Sequence, residues 1–298
     1  MAQKQLTTTQ FFRQFPDDET CLAHLFTVRF GQGYECPSCA RPSNWYRIKA
    51  ERAYSCQWCG HHLHPTVGTP FEQTRTPLQL WFYAIHLFTT TRHGVSAKEL
   101  ERQLGVTYKT AWRMAGLIRQ HMADVDGNDP VGGVDKIVEI DETLIGGSVE
   151  GKGSGFKGNK TVVVGMVERG GDIVTQVVTS RHRKPMEALI SANVLPGTTV
   201  STDEFGSYRG LSDLGYEHMT VQHNRDQYAA SNGASTNQIE GFWRHLKCSI
   251  SGTHISISPK YTSRYVKEFE YRFNRRNEAA SMLPELLSTF RPLTPKRG

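Results

Sequence analysis

Long hydrophobic runs are missing from this sequence. No apolar run approaches the roughly 18 residues that a membrane-spanning helix needs, so we expect no association with a membrane. The first residues, MAQKQLTTTQFF, contain no apolar core of a secretory signal, which favours a cytoplasmic protein. The sequence also has no internal repeat and no low-complexity tract. These absences leave an ordinary globular chain as the expectation.

Acidic residues are outnumbered by basic ones. Asp and Glu total 29 against 35 Lys and Arg, which gives a net charge of +6 and an isoelectric point near 9.0. This balance favours a polyanionic partner such as nucleic acid, although many basic proteins bind none. The length of 298 residues and the hydrophobic fraction of 38% indicate a globular chain of about two domains.

Cysteines are few, and four of the six are grouped. The sequence reads CPSC at 36–39 and CQWC at 56–59, whereas Cys21 is predicted to be a buried thiol. Two CxxC pairs so close together disfavour a disulfide framework and are a strong signal for zinc. Four thiolates complete a tetrahedron and leave no open position, so we expect one structural Zn²⁺. Its ligands would be Cys36, Cys39, Cys56 and Cys59. Unrelated cysteines and a redox CxxC are the weaker alternatives.

Three histidines follow the second cysteine pair, at positions 61, 62 and 64. They could replace a zinc ligand, but four thiolates already satisfy the metal. A polar surface or a contact with nucleic acid is the favoured interpretation.

A helical segment with a basic second helix comes next. Ser96 and Glu99 predict a capping box, Gly105 predicts a turn, and Thr107 predicts the cap of a second helix. This pattern is typical of a helix–turn–helix, with a plain helical hairpin as the alternative. The residues of the second helix that could face phosphates or base edges are Tyr108, Lys109, Arg113 and Arg119.

Two acids each follow a run rich in β-branched residues. KIVEID ends in Asp141 and TTVSTD ends in Asp203, and both runs predict strands that end at the acid. Acids at the ends of neighbouring strands can meet at one edge of a sheet. Carboxylates are the hard oxygen ligands that Mg²⁺ prefers. Two such ions about 3.5–4 Å apart can clamp the attacking and leaving oxygens of a phosphoryl transfer.

The stretch TNQIEGFWRHLKCSI, at 236–250, supplies a third acid. Its apolar residues repeat with the period of a helix, so one face is predicted to pack on a core. A second stripe contains Asn237, Glu240, Arg244 and Lys247, from which Glu240 and Lys247 could point into a cleft. On an isolated helix such a stripe is usually solvated. The two acids upstream favour a site.

Beyond residue 134 the predicted order is three strands, helix, strand, helix, strand, helix, which indicates an α/β fold with a mixed sheet. A Gly/Pro/Asp-rich linker over 124–134 precedes it. Two further basic segments could contact phosphates. One is a Gly- and Lys-rich loop with Lys157; the other is a helix over 259–277 with Arg272, Arg275 and Arg276. The expected parts are residues 1–70, 71–125, 134–280 and a tail over 281–298.

Several of these segments together resemble the transposases of the IS1595 group, the ISXO2-like family. The resemblance covers nearly the whole chain, and its motifs are CPSC…CQWC, VEIDETLIGG, VSTDEFGSYRGL, TNQIEGFWRHLK and YVKEFEYRFNRRN. It implies a zinc ribbon at 1–70, a helix–turn–helix DNA-binding segment at 71–125 and an RNase H-like DDE catalytic core at 134–280. It also implies a prokaryotic, DNA-associated protein that acts on double-stranded transposon ends and target DNA as a homo-oligomer. Asp141 and Asp203 would be the first two ligands of two Mg²⁺ (or Mn²⁺) ions, with Lys247 as a downstream basic residue.

The third metal ligand is open between two residues. The family is usually described with Asn at this position, which corresponds to Asn237, whereas Glu240 one turn later offers charge and up to two oxygens. On chemistry alone Glu240 is the favoured ligand, with Asn237 as ligand or as an outer partner.

The implied reaction is attack by water at a transposon end, followed by attack of the freed 3′-OH on target DNA. Two other functions compete with it. One is a non-catalytic DNA-binding regulator built from the zinc ribbon and the helix–turn–helix, with a degenerate core. The other is a host nuclease that cuts DNA without joining ends.

Overall fold

The computed structural model describes residues 4–146, 160–221 and 233–290. The chain divides into two compact units. The first consists of Met1–His121 and Glu278–Gly298, and the second of Met122–Asn277. No helix in the described ranges is long and apolar enough to cross a membrane.

Two short helices open the first unit. They are α1 (Thr8–Gln14) and α2 (Asp18–Arg29), and Thr7 and Asp17 cap their first turns with side-chain oxygens. Cys21 of α2 is fully buried, as predicted, and burial raises the pKa of its thiol to about 12.

A three-stranded antiparallel sheet follows. Its strands, in spatial order, are β1 (Trp45–Ile48), β2 (Ala53–Cys56) and β3 (His62–Leu63). The ring of Tyr54 stacks on Phe26 of α2 with centroids 4.1 Å apart, so an aromatic contact attaches this small sheet to the helices.

The next helices are α3 (Leu78–Thr90), α4 (Ala97–Leu104) and α5 (Tyr108–Asp126). Gly105 adopts the left-handed conformation (φ 65°) that ends α4, which is the turn the sequence predicts. Ser96 accepts a hydrogen bond from the backbone N–H of Glu99, but the Glu99 carboxylate binds Arg102 and Gln103 instead of closing a capping box.

The second unit is built on a five-stranded mixed sheet. In chain order, its strands are β5 (Ile137–Ile145), β6 (Thr161–Glu168), β7 (Ile173–Val178), β9 (Thr199–Thr202) and β10 (Glu217–Thr220). Their spatial order is β10-β9-β5-β6-β7. β5, β6 and β7 pair antiparallel, whereas β9 and β10 run parallel to β5. The mixed α/β character predicted from the sequence is confirmed.

Each face of this sheet has its own hydrophobic core. On one face α6 (Arg183–Asn193) packs with Tyr208 against alternate residues of the strands. On the other face lie α7 (Asn237–Ser249) and α8 (Thr262–Asn274), which contribute Trp243 and Phe269 among others. The central strands therefore bury alternate residues against helices on the two faces.

Several boundaries differ from the sequence predictions. The predicted linker over 124–134 contains the last turn of α5 and the strand β4 (Val131–Gly132), which pairs with β8 (Val194–Leu195). After β9, where the predicted order has a helix, the chain forms two 3₁₀ turns, Gly206–Tyr208 and Ser212–Leu214.

The expected tail also contains a helix, α9 (Met282–Ser288), which belongs to the first unit. Its apolar residues Leu286 and Leu287 are almost completely buried. Burial of these leucines therefore stabilises a helix that the local sequence pattern indicated only weakly.

Candidate catalytic and metal sites

The four cysteines of the two CxxC pairs converge in the first unit. Their sulfur atoms all lie within 4.8 Å of one another, with 3.6 Å between Cys36 and Cys59 and 3.9 Å between Cys39 and Cys56. Four thiolates in a compact cluster can close a structural zinc site. The structure therefore brings together the four cysteines that the sequence predicts as ligands of one Zn²⁺.

Two similar backbone turns present these cysteines. The N–H of Ala40 donates to the carbonyl of Cys36, and the N–H of Gly60 donates to the carbonyl of Cys56. Ala40 (φ 52°) and Gly60 (φ 73°) both have positive φ, directly after the second cysteine of each pair. A left-handed residue at this point curls the chain so that both thiols of a pair face the same side.

Asp141 lies in the middle of β5, not at the end of a strand. The predicted strand end is wrong because β5 continues to Ile145, held by antiparallel pairing with β6 along its whole length. The parallel partner β9 pairs with β5 only as far as Glu139. Asp141 is therefore placed where the sheet becomes narrower, and its carboxylate is half-buried.

Asp203 directly follows the last residue of β9. In the parallel register Glu139 lies opposite Ser201, so continuing the register by two residues puts Asp203 beside Asp141. Burial raises the pKa of Asp141 to about 7, and the negative charges of Glu142 and Asp203 add to this rise. Two carboxylates that are distant in the chain thus interact across adjacent strands.

Helix α7 reaches this place through a tryptophan. The indole N–H of Trp243 donates to the Asp141 carboxylate over 3.1 Å. Gly165 of β6 lies opposite Asp141 in the antiparallel register, and a Cβ at this glycine would be only 2.7 Å from the side chains of Ile239 and Trp243. The missing side chain therefore lets α7 approach the sheet closely enough for the indole to bind Asp141.

The other predicted residues of α7 lie around Trp243. Counted at about 100° per residue, Glu240 and Lys247 are both within about 60° of Trp243, and Asn237 is about 120° away. Glu240 is half-buried and accepts a hydrogen bond of 2.7 Å from the Thr236 hydroxyl, whereas Asn237 and Lys247 are exposed. Within the described ranges no three carboxylates bring their oxygens within 4.8 Å of one another. The structure thus brings Asp141, Asp203 and Trp243 together without gathering Glu240 into the same cluster.

Glu139 has a role that the sequence pattern did not indicate. It lies two positions before Asp141 on β5, so the two side chains share one face of the sheet. Its buried carboxylate accepts the backbone N–H groups of Gln238 (2.8 Å) and Ile239 (3.2 Å) and an N–H of Arg169 (2.9 Å). Glu139 therefore caps the first turn of α7 from a neighbouring strand.

The segment before α7 is held by further hydrogen bonds. Arg169 donates to the carbonyls of Gly233 and Ser235, and the Ser201 hydroxyl of β9 exchanges hydrogen bonds with the backbone of Ser235. Strand β5 carries Asp141, and strand β9 directly precedes Asp203. The strands that position the two aspartates thus also fix the start of α7.

Glu142 lies on the opposite face of the sheet from Asp141. It accepts hydrogen bonds from the buried Tyr208 hydroxyl (2.5 Å) and from Arg181 (3.2 Å). Burial, together with the charge of Glu142, raises the pKa of Tyr208 well above its ordinary value. The Glu142 carboxylate is therefore bound within this side of the sheet.

The predicted DNA-contact residues of α5 are divided between surface and interior. Tyr108, Lys109 and Arg113 are exposed, and the Lys98 ammonium lies 5.7 Å from the Tyr108 ring. Arg119 is only 3% exposed and donates to the carbonyl of Val95, so its prediction as a surface residue is wrong.

The predicted arginines of the second unit have internal partners. Arg272 pairs with the buried Glu268, and Arg275 pairs with Asp126 and lies over the Tyr271 ring. Arg276 donates to the carbonyl of Gly171. Their positive charges stabilise this unit, which is a role that the sequence did not indicate. Lys157 lies outside the described residues.

Comparison with known proteins assigns both parts of the sequence to one family. Residues 16–62 match the transposase zinc-ribbon domain, and residues 132–274 match the ISXO2-like transposase domain of the IS1595 group. A protein of the transposable element ISH50 from Halobacterium salinarum, described as uncharacterized, is 24% identical over 275 residues; the match covers 83% of this chain and 88% of the relative. The first match contains all four clustered cysteines and the second contains both aspartates of the sheet. The chain therefore belongs to the IS1595 family of ISXO2-like insertion-sequence transposases.

Proposed function

We propose that this protein cleaves the ends of its insertion sequence and joins the freed 3′-OH groups to target DNA in a metal-dependent DDE reaction. The observation that carries the proposal is the interaction of Asp141 on β5 with Asp203, which directly follows the parallel strand β9, while α7 binds Asp141 through Trp243. Phosphoryl transfer of this kind depends on carboxylates that position metal ions at the reacting phosphate.

The topology of the second unit supports an RNase H-like core. Three antiparallel strands are followed by two strands parallel to the first, in the order β10-β9-β5-β6-β7, with helices on both faces. In such a core the first and fourth strands are neighbours at the centre of the sheet. Here these are β5 and β9, which bring Asp141 and Asp203 to one place.

The donor set suits Mg²⁺ or Mn²⁺. Asp141 and Asp203 would hold the two ions, with Glu240 as the proposed third ligand because it lies on the Trp243 side of α7 and Asn237 lies further round. The raised pKa of Asp141, caused by burial and neighbouring acids, is the electrostatic situation that a bound cation relieves. When bound, such ions activate the attacking oxygen and stabilise the leaving oxygen.

The residues of the chain would contribute orientation and charge. Trp243 holds one oxygen of Asp141 and so directs the other oxygen. Lys247, one helical turn further along α7, lines a cavity of about 290 Å³ together with residues 144–146 at the end of β5. An exposed ammonium in this position suits a DNA phosphate next to the scissile bond.

The first unit would bind DNA. The exposed Tyr108, Lys109 and Arg113 at the start of α5 follow a helix and a left-handed glycine, which is the local geometry of a helix–turn–helix. The structural zinc would keep the ribbon folded beside this segment. In the DNA complex a homo-oligomer is proposed, because two transposon ends must be joined.

The test is a strand-transfer assay with oligonucleotides that carry the ends of the element. Asp141→Asn and Asp203→Asn should each lower cleavage and joining by at least about a thousandfold, because a lost charged ligand removes most of the electrostatic stabilisation. Binding to the ends should survive in both variants. Glu204→Gln, an exposed acid next to Asp203, is the matched control and should keep its activity.

Full activity in either aspartate variant would overturn the assignment. Metal-dependent nicking without joining would favour a nuclease. Binding to the ends without any cleavage by the wild-type protein would favour a DNA-binding regulator.

A further inference from the structure

The zinc ribbon carries a second group of metal-ligating side chains away from the cysteines. Glu51, His62 and His64 each offer one ligand atom, and the three atoms all lie within 4.8 Å of one another. All three side chains are exposed. We propose that Glu51, His62 and His64 bind a second transition-metal ion, Zn²⁺ or a similar divalent cation, on the surface of the ribbon.

The strand geometry explains why these side chains meet. His62 belongs to β3 and His64 follows it by two positions, so both imidazoles lie on the same side of the chain. β3 is an edge strand that pairs antiparallel with β2, with His62 opposite Ser55. Moving along β3 away from His62 therefore leads back along β2 toward the β1–β2 turn, where Glu51 lies.

The distances suit a small cation. Nδ1 of His62 and an oxygen of Glu51 are 3.4 Å apart. Ligands at the usual Zn–N and Zn–O lengths of about 2.0–2.2 Å around a tetrahedral ion are separated by about 3.4 Å, so this pair is already at the spacing of two bound ligands. The ligand atom of His64 lies within 4.8 Å of both.

The ligand types define the metal. Two imidazoles and one carboxylate suit Zn²⁺, Co²⁺ or Ni²⁺ better than Mg²⁺, which prefers oxygen ligands throughout. Three protein ligands leave one position of a tetrahedron for water or for an external oxygen ligand. This site would thus differ from the cysteine cluster, which is closed by four protein ligands.

The experiment uses the full chain with its cysteine site already loaded with zinc. In a chain that carries Asp141→Asn and Asp203→Asn, which remove the proposed catalytic ions, equilibrium dialysis against Zn²⁺ followed by elemental analysis should give two ions per chain. Adding His62→Ala/His64→Ala should leave one ion. Glu51→Gln should weaken the second site by at least about tenfold, which is the cost of losing even an outer partner of a metal site. The matched control is His61→Ala, a neighbouring histidine outside the cluster, which should keep both ions.

Co²⁺ absorption spectra identify which site is filled, because thiolate and imidazole–carboxylate sites absorb differently. A single ion in the chain that carries both aspartate substitutions would overturn the proposal, as would a second ion that persists in the double histidine variant. If the double variant lost the cysteine-bound zinc as well, Glu51→Gln would decide, since it leaves both histidines in place.

Discussion

At the scale of single residues, the second unit depends on two acids that share one face of β5. Asp141 meets Asp203 and the Trp243 indole, whereas Glu139 binds the amide groups at the start of α7. The carboxylate of Asp141 is half-buried. The Glu139 side chain is 3% exposed, and its carboxylate binds the backbone of α7 and Arg169.

Two substitutions of Glu139 should distinguish its effect on the position of α7 from its effect on the stability of the fold. Glu139→Ala should lower the free energy of unfolding by about 3 kcal/mol, which is the lower end of the range for removing one partner of a buried ion pair. Glu139→Gln should lose less, since its carbonyl oxygen can still accept from the amides of α7. Thermal and urea denaturation measure both effects.

Under conditions where both variants remain folded, strand transfer should fall while DNA binding is kept, with Glu139→Gln more active than Glu139→Ala. Glu217→Ala, an exposed acid on β10, should change stability by less than about 0.5 kcal/mol. Equal activity of the wild type and Glu139→Ala would show that the cap does not position the site.

At the scale of elements, the contact between α7 and β6 decides how closely the helix approaches Asp141. Gly165 leaves the space that Ile239 and Trp243 occupy, and the same glycine lies opposite Asp141 in the sheet. A single β-carbon would meet atoms of both side chains, and the packed core offers them little room to move.

Gly165→Ala should therefore push α7 away from the sheet. We expect a loss of about 1–3 kcal/mol in stability from overpacking, together with a loss of strand-transfer activity. The tryptophan fluorescence of the protein, to which Trp243 is one of five contributors, should shift as this indole leaves the Asp141 carboxylate. The control is Gly241→Ala on α7 itself, where an added Cβ has nothing within 4 Å. An unchanged spectrum and unchanged activity in Gly165→Ala would contradict this account.

At the scale of the whole molecule, two compact units have separate sources of stability. The second unit has a sheet with a hydrophobic core on each side. The ribbon has only three short strands, so a bound metal must supply much of its stability.

Removal of the structural zinc should therefore affect the first unit alone. Cys56→Ser, or a strong chelator, should abolish zinc retention at the cysteines and unfold the ribbon, while hydrogen exchange in β5 and β6 of the second unit stays slow. Cys248→Ser, which alters an exposed cysteine outside the cluster, should leave zinc content and exchange unchanged. A ribbon that keeps its protection from exchange without zinc would refute the structural role of the metal.

Local sequence pattern was sufficient for features that depend on nearby residues. The CxxC pairs identified the metal ligands because each pair is a local turn, and the alternation of β-branched and helical segments identified a mixed α/β unit. The family motifs surrounding Asp141, Asp203 and Glu240 could also be recognised along the chain. In each case the signal lies within a few neighbouring residues or in the order of segments along the chain.

Tertiary structure decided what depends on pairing between distant segments. Asp141 lies inside a strand because β6 pairs beyond it, and Glu139 caps α7 because β5 brings it to the first turn of a helix about a hundred residues later. Arg275, directly after α8, pairs with Asp126 of α5. A single sequence specifies which residues can form such contacts, but only the folded sheet determines which of them meet, because register and helix approach are set by the packing of the whole core.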